Sequence, residues 1–298
     1  MELLMKLYKI FSNQQVEENL DSLKLMMGRI LANQFKDVQP KSIHEVEFRV
    51  FSQWMDDGII QYLVNNIPIA QESFIEFGVG NYKEANTRFL LLNNNWRGLI
   101  MDYSRKYINQ VKQEYIYWKY ELTAKAAFIT SENVNCLVQG AGFNGEIGLL
   151  HIDIDGNDYW VWKAINVVNP TIVIMEYNSI FGVDRAITIP YRASFCRTKA
   201  HSSNLYFGSS LLALCDLAEA KGYSFIGCNS SGNNAYFIRK DRMGKFKSIR
   251  PEEGYICSHF RESRDVKGNL SYSTGKKRLD LIRGMNVYNT RACKLEAL

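Results

Sequence analysis

Residues 73–104, SFIEFGVGNYKEANTRFLLLNNNWRGLIMDYS, constrain the fold more than any other stretch of the chain. The run from Ser73 to Glu76 reads as a strand that ends in an acid. Gly78 and Gly80 then permit a tight turn whose backbone can approach a ligand, because neither carries a Cβ. Glu84 to Asn94 places Ala85, Phe89, Leu90 and Leu92 at helical spacing, and Asn93, Asn94 and Asn95 stop it. Trp96 to Met101 is a second strand, closed by Asp102. A glycine turn opening a helix, with an acid at the end of the next strand, is how an α/β sheet holds an adenosine: amides at the turn, a carboxylate on the ribose hydroxyls.

The same alternation continues on both sides. Residues 14–36 read as a helix with the apolar stripe Val16, Leu20, Leu23, Met27, Ile30 and Leu31. A stripe of this period packs on its own domain more often than on a partner, so own-domain packing is expected, with a homo-oligomer contact as the alternative. Asp56, Asp57 and Gly58 precede a second amphipathic helix that leads into the glycine turn. Beyond Asp102, residues 105–119 read as helix, Lys125 to Thr130 as strand, and Ser131 as the cap of a short helix. Gly145 to Asp155 and Thr171 to Asn178 are further strands, separated by a helix over Asp158 to Ile165. Repeated units of this kind predict a mostly parallel sheet with helices on both faces. The helix Ser209 to Lys221, then Tyr223 to Asn229 and Ala235 to Lys240 joined by SSGNN, predict a closing antiparallel hairpin.

Composition removes several classes. With 298 residues, 46% hydrophobic and 22% charged, the chain has the balance of an ordinary soluble protein. The opening MELLMKLYKIF lacks a signal-peptide core, and no apolar run is long enough for a transmembrane segment. The 6 cysteines show no metal or disulfide spacing, which reads as reduced core thiols in a cytoplasmic protein. The formal charge of +5 suits an acidic small substrate as well as a nucleic acid, but a nucleic-acid partner would need a continuous basic surface with interleaved aromatics and a reader fold, and neither is visible outside the 179–207 loop and the basic tail.

Details of the turn separate two cofactor classes. A dinucleotide turn requires GxGxxG, and Lys83 stands where the third Gly belongs. Glu76, two residues before the first Gly, is instead the signature of an S-adenosylmethionine turn. Glu76, Gly78, Gly80 and Asp102 together favour S-adenosylmethionine; an NAD-dependent oxidoreductase and a non-catalytic binding protein of the same fold remain the alternatives.

With these residues in place, the runs FSQWMDDGII, FIEFGVGNYKEANTRFLLLNNNWRGLIMD, LLHIDIDGNDYWVWKAI, IVIMEYN and YFGSSLLALCDLAEAKGYSFIGCNSSGNNAYFIRKD resemble the FkbM-like group of S-adenosylmethionine-dependent methyltransferases. Such genes commonly accompany bacterial surface-polysaccharide synthesis. The similarity covers most of residues 48–241. It implies a Rossmann-like class I methyltransferase fold with strand order 3-2-1-4-5-7-6, and methyl transfer to an oxygen of a sugar or glycan. Gln53, Ser131, Glu132 and Asp153 join Glu76, Gly78, Gly80 and Asp102 as the cofactor-binding set, with Ser131 or Glu132 near the adenine. The implied organisation is an N-terminal helical extension (1–40), a methyltransferase domain (41–243) with a substrate lid (179–207), and a basic tail (244–298) that wraps the domain.

In HIDIDGND, Asp153 and Asp155 are two apart and share a face, and Glu176 and Asn178 do the same in IMEYN. If the two strands are neighbours, these oxygens gather at the carboxyl edge, where open α/β sheets bind ligands. Asp155, Glu176 and Asn178 form a hard-oxygen set suited to Mg2+ or Mn2+, which would acidify a sugar hydroxyl. A metal-free arrangement serves equally, with Asp155 or His201 as base, His151 as a core residue, Asp158 as a cap and Glu176 paired to a lid cation. In the lid, Tyr191, Arg192, Arg197 and Tyr206 are the substrate-binding candidates: aromatics stack on sugar faces, and arginine binds the phosphate of a phosphorylated or nucleotide-linked acceptor.

Overall fold

The computed structural model of the chain describes residues 2–298, with side chains described for residue 16 and for residues 18–298. The first half runs through α1 (Glu2–Phe35), α2 (Asp56–Asn66), β1 (Ser73–Phe77), α3 (Arg88–Asn94), β2 (Arg97–Asp102), α4 (Arg105–Gln113), α5 (Tyr115–Lys119) and β3 (Leu122–Ala126). The second half continues through α6 (Val134–Gln139), β4 (Gly145–Ile152), α7 (Asp158–Ala164), β5 (Val168–Glu176), β6 (Ile187–Thr188), α8 (Arg197–Ala200), α9 (Leu211–Ala220), β7 (Tyr223–Cys228) and β8 (Asn234–Arg239). Residues 244–298 add α10 (Pro251–Gly254), α11 (Lys276–Ile282), β9 (Asn286–Asn289) and β10 (Lys294–Ala297).

Seven strands form the central sheet in the order β3-β2-β1-β4-β5-β8-β7. The first five pair in parallel, and β8 runs antiparallel to both β5 and β7. Because the two-residue β6 lies outside this sheet, the order is the expected 3-2-1-4-5-7-6 with one extra label. This is a class I methyltransferase-like fold. Its central strands are mostly apolar because helices cover both faces; β1 is buried at all five positions, Ser73 and Glu76 included. One face packs Met101, Trp162, Leu214 and Phe237, and the other packs Phe74, Ile100, Leu63 and Tyr236.

Three local departures from the sequence pattern have physical causes. The helix expected from Glu84 begins at Arg88, because the backbone amides of Asn86 and Thr87 turn inward to the Glu76 carboxylate. The expected 105–119 helix is two, broken at Glu114, whose backbone is extended (φ −75°, ψ 151°) and whose carboxylate meets Arg88 at 3.2 Å. β3 spans Leu122–Ala126 rather than Lys125 to Thr130, and Asn133 rather than Ser131 organises the start of α6: its side chain accepts from Thr130 N and donates to the Phe128 carbonyl.

α1 packs on its own domain, but of the stripe expected to do so only Leu31 reaches the core. Val16, Leu20, Leu23, Met27 and Ile30 are 50% to 66% exposed. The docked face is a different one: Ala32 is buried, Arg88 meets Asp21 at 3.3 Å, and at Gly28 a Cβ would lie 2.6 Å from Val50 Cγ2. The core-thiol expectation holds for the buried Cys228 and in part for Cys215, which packs against the core; Cys196 is partly buried, and Cys136, Cys257 and Cys293 are exposed.

The lid and the C-terminal segment share structure. β6 pairs with β9, and β9 with β10, in a second sheet. Ile187, Leu205 and Phe207 of the lid form one apolar cluster with Ile282 and Val287. No helix among the described residues is long and apolar enough to cross a membrane.

Candidate active site

The glycine turn is built around two acids. Glu76, at the end of β1, accepts at Oε1 from Asn86 N (2.9 Å) and His151 Nδ1 (2.9 Å), and at Oε2 from Thr87 N (3.0 Å) and the Thr87 hydroxyl. Burial opposes its ionisation, but the hydrogen bond and charge of His151, with the Thr87 and Asn86 donors, hold the carboxyl below its ordinary range. His151 is thus a buried partner of Glu76. Asp102, at the end of β2, accepts at Oδ2 from Gly80 N (2.9 Å) and at Oδ1 from Ser104 N (2.7 Å), which fixes the turn from the other side. Gly78 has φ 79° and a Cβ there would lie 1.5 Å from the Asp153 carbonyl oxygen, so only glycine lets the turn lie against the end of β4.

A cavity of about 230 Å³ opens over this turn. Glu76, Gly78, Gly80 and Asp153 line it, and so do Gln53 and Trp54 from the segment before α2. That segment is held by Asp57, whose Oδ2 accepts from Val50 N, Phe51 N, Ser52 N and the Ser52 hydroxyl at 2.7 to 2.8 Å. Asp56 performs the same service for the hairpin. It accepts from Asn229 Nδ2, Asn234 Nδ2 and the Tyr236 hydroxyl, and so brings Asn233 and Asn234 to the cavity wall. Asn81, Asn86, Trp54, Asn233 and Asn234 were absent from the candidates; SSGNN gave a turn signal that hid two wall residues.

At the carboxyl ends of β4 and β5, Asp153, Asp155 and Glu176 each bring an oxygen within 4.8 Å of the others. Burial first, and the Asp155 charge second, push the Asp153 carboxyl up to about 7. Burial, then the charges of Asp153 and Asp155, push Glu176 well above the carboxylate range. Glu176 Oε2 is buried without a hydrogen-bond partner. Asp155, with φ 55°, is the exposed member. Asp158 serves the turn, accepting from Ile154 N (2.7 Å) and Gly156 N (2.9 Å). Asn178 gives its amide hydrogens to the Leu205 and Phe207 carbonyls and accepts from Ile180 N, so its side chain ties down the lid.

The lid residues divide in two. Arg197 enters the acid cluster: Nη1 binds Asp155, Nη2 lies 3.7 Å from Glu262, Nε donates to Asn204 O, and the guanidinium sits 3.9 Å from the Phe207 ring centroid. Tyr191 donates to Glu132 Oε2 (2.5 Å) and accepts from Ser131 N (3.1 Å), latching the lid to the loop before α6. Arg192 is exposed, with its carbonyl accepting from Asn157 Nδ2. Tyr206 turns to the tail and donates to the Asn286 carbonyl. His201 is held through Nδ1 by Ser203, and no hydrogen bond or ion pair joins it to the acids among the described residues.

No family model matches the sequence, and no curated protein does. Among solved structures, the chain is similar to an O-methyltransferase from Bacillus cereus in complex with SAH (11% identity, 74% of this chain and 89% of that one, TM-score 0.40). It is also similar to an S-adenosylmethionine-dependent methyltransferase from Clostridium acetobutylicum (15%, 45% and 54%, TM-score 0.32) and to residues 961–1257 of the StiE O-methyltransferase (12%, 53% and 48%, TM-score 0.32). The chain spans about half the length of these last two. The fold assignment rests on the strand order and pairing.

Proposed function

We propose that the chain is an S-adenosylmethionine-dependent O-methyltransferase of the FkbM-like group that acts on a sugar hydroxyl. The observation that carries this reading is that Asp153 belongs both to the wall of the glycine-turn cavity and to the acid cluster. A cofactor in the cavity and an acceptor at the cluster are thereby neighbours. When bound, S-adenosylmethionine supplies an electrophilic methyl on a sulfonium. The side chains of Asn81, Gln53, Asn233 and Asn234 on the cavity wall present polar groups to its amino-acid end, and Asp102, which holds the turn through Gly80 N, is the carboxylate that would meet the ribose. Ser131 and Glu132, joined by Tyr191, lie at the adenine side.

In the transfer step the acceptor oxygen forms a C–O bond as the methyl–sulfur bond breaks, and the hydroxyl proton has to leave. A carboxylate of the cluster takes it. Asp155, the exposed member, is nearest in character to an acceptor-facing base, and Asp153 and Glu176 retain a proton until the site is deprotonated.

A second reading has its own support. Three carboxylates within 4.8 Å, one with an unpartnered buried oxygen, fit a hard divalent cation, Mg2+ or Mn2+, which would supply Lewis acidity toward the hydroxyl. Asp153, Asp155 and Glu176 would hold it, and Arg197 would give up Asp155. Titration of the protein with S-adenosylhomocysteine, followed by transfer assays on sugar acceptors with and without chelator, tests both readings. Binding of NAD without S-adenosylhomocysteine overturns the first. Full activity after chelation overturns the second.

The exposed row on α1 supports a homo-oligomer. Its 16, 20, 23, 27, 30 spacing alternates four and three, the seam of a coiled coil, and a second copy in antiparallel register sets Leu20 on Leu23 and Val16 on Met27.

A further inference from the structure

Three arginines are buried among the described residues: Arg88, Arg239 and Arg278. Arg88 pairs with Asp21 and Glu114, and Arg239 pairs with Glu146 and Asp241. Arg278, on α11, is 4% exposed and forms no ion pair with a carboxylate among the described residues. Its Nη1 donates to Ser258 Oγ (2.8 Å), its Nε has no acceptor, and its guanidinium lies 5.1 Å from the Phe260 ring centroid. The nearby Glu262 is engaged with Arg197.

A guanidinium cannot shed its proton inside a protein, so burial without a counter-anion is a standing cost that a neutral side chain of similar size avoids. An aromatic ring face attracts the cation without neutralising it. The position is informative. Ser258 Oγ is 2.6 Å from Ser179 Oγ, three residues beyond Glu176, and Phe260 stacks on Trp54 of the cavity wall with centroids 5.6 Å apart. Arg278 therefore stands behind the wall of the site, joined to it through Ser258 and Ser179 on one side and through Phe260 and Trp54 on the other, while Arg197, the cation expected at the acceptor, is paired with Asp155 and lies near Glu262.

We propose that Arg278 is the receptor for an acidic group, a phosphate or a carboxylate, carried by the acceptor, with Ser258 orienting the guanidinium. This deepens the methyltransferase reading and rests on it for the word acceptor. Planar, forked donors match both kinds of oxyanion. A neutral glycan would leave the charge unpaired.

The test is a thermal melt of the full chain, wild type against Arg278→Gln and Arg278→Lys, in chloride buffer and with low-millimolar inorganic phosphate. Glucose 6-phosphate, glucuronate and glucose serve as further arms. The wild type is expected to gain several degrees with phosphate in a saturable manner, while Arg278→Gln gains nothing and Arg278→Lys gains part. A gain with glucose 6-phosphate alone identifies a phosphate, one with glucuronate alone a carboxylate, and both support the site; glucose is expected to give none. Equal gains in wild type and both variants, or no gain with any anion, overturn the proposal. If Arg278→Gln does not fold, the comparison of wild type with Arg278→Lys decides. Calorimetry with S-adenosylhomocysteine on the same samples separates the two readings: absence of binding removes the methyltransferase reading while an Arg278-dependent phosphate gain still stands.

Discussion

Arg197 of the lid and Asp155 of the turn after β4 are in direct contact, which puts a fixed positive charge at the mouth of a group of three acids. The same guanidinium lies on the Phe207 ring and donates to the Asn204 carbonyl, so it is locked in place by its own segment. An ion pair with one partly buried and one exposed partner contributes modestly. Arg197→Gln is therefore expected to lower stability by about 1 to 2 kcal/mol in urea denaturation. It is also expected to tighten Mn2+ binding, since the cation no longer competes with Arg197 for Asp155. Unchanged or weaker Mn2+ affinity in the variant would argue against a metal on these carboxylates.

The raised carboxyls of Asp153 and Glu176 set a pH dependence with a definite sign. Each binds its proton more tightly folded than unfolded, so the stabilisation is fully present below the ordinary carboxylate range and is lost as pH rises through about 7 for Asp153 and higher for Glu176. The melting temperature is expected to fall from about pH 4 up to about pH 7, and further above it through Glu176, and Asp153→Asn is expected to flatten the part of that slope below about pH 7. Transfer activity should run the opposite way, rising through about pH 7 as the folded cluster loses its Asp153 proton. A melting temperature that is flat with pH in both proteins would show that the acids are ionised throughout.

Asp102 holds the turn through Gly80 N and Ser104 N. Asp102→Ala is expected to weaken S-adenosylhomocysteine binding by roughly 1.5 to 3 kcal/mol, through lost charge-assisted bonds and a loosened turn. Isothermal calorimetry measures it directly, and an unchanged affinity would remove Asp102 from the cofactor site.

For the exposed row on α1, Leu20→Glu with Leu23→Glu is expected to convert a dimer to a monomer with little change in folding, because both side chains are half exposed already. Light scattering of the eluted protein reads the mass. A wild-type monomer at all accessible concentrations would dispose of the self-association.

The sequence carried the sheet because its signals are local: apolar runs in β1, β4 and β5, a glycine turn, and a hairpin marked by Gly and Asn. It also brought Asp153, Asp155 and Glu176 to one edge, because side-chain parity on adjacent parallel strands is enough for that. What it did not carry depends on contacts distant in the chain. Asn178 was grouped with the acids by parity, yet its amide is taken by Leu205 and Phe207 carbonyls some thirty positions on. The direction of the α1 stripe was missed because a helix with apolar residues on two faces does not say which one docks; Gly28 against Val50 decides it. Arg278 carried no signal at all, since only the fold reveals that a basic residue in a basic tail has been buried with no carboxylate paired to it among the described residues.

The joint sheet of β6, β9 and β10 alters what removal of the last residues would do. Arg185 is held by Glu296 and the Ala297 carbonyl, and Tyr206 by the Asn286 carbonyl, so both ends of the lid are moored to the C-terminal strands. Trimming the chain after α11 would thus cut the moorings of the segment that carries Arg197 and Tyr191, and a purification tag fused at Leu298 would pull on the same plate.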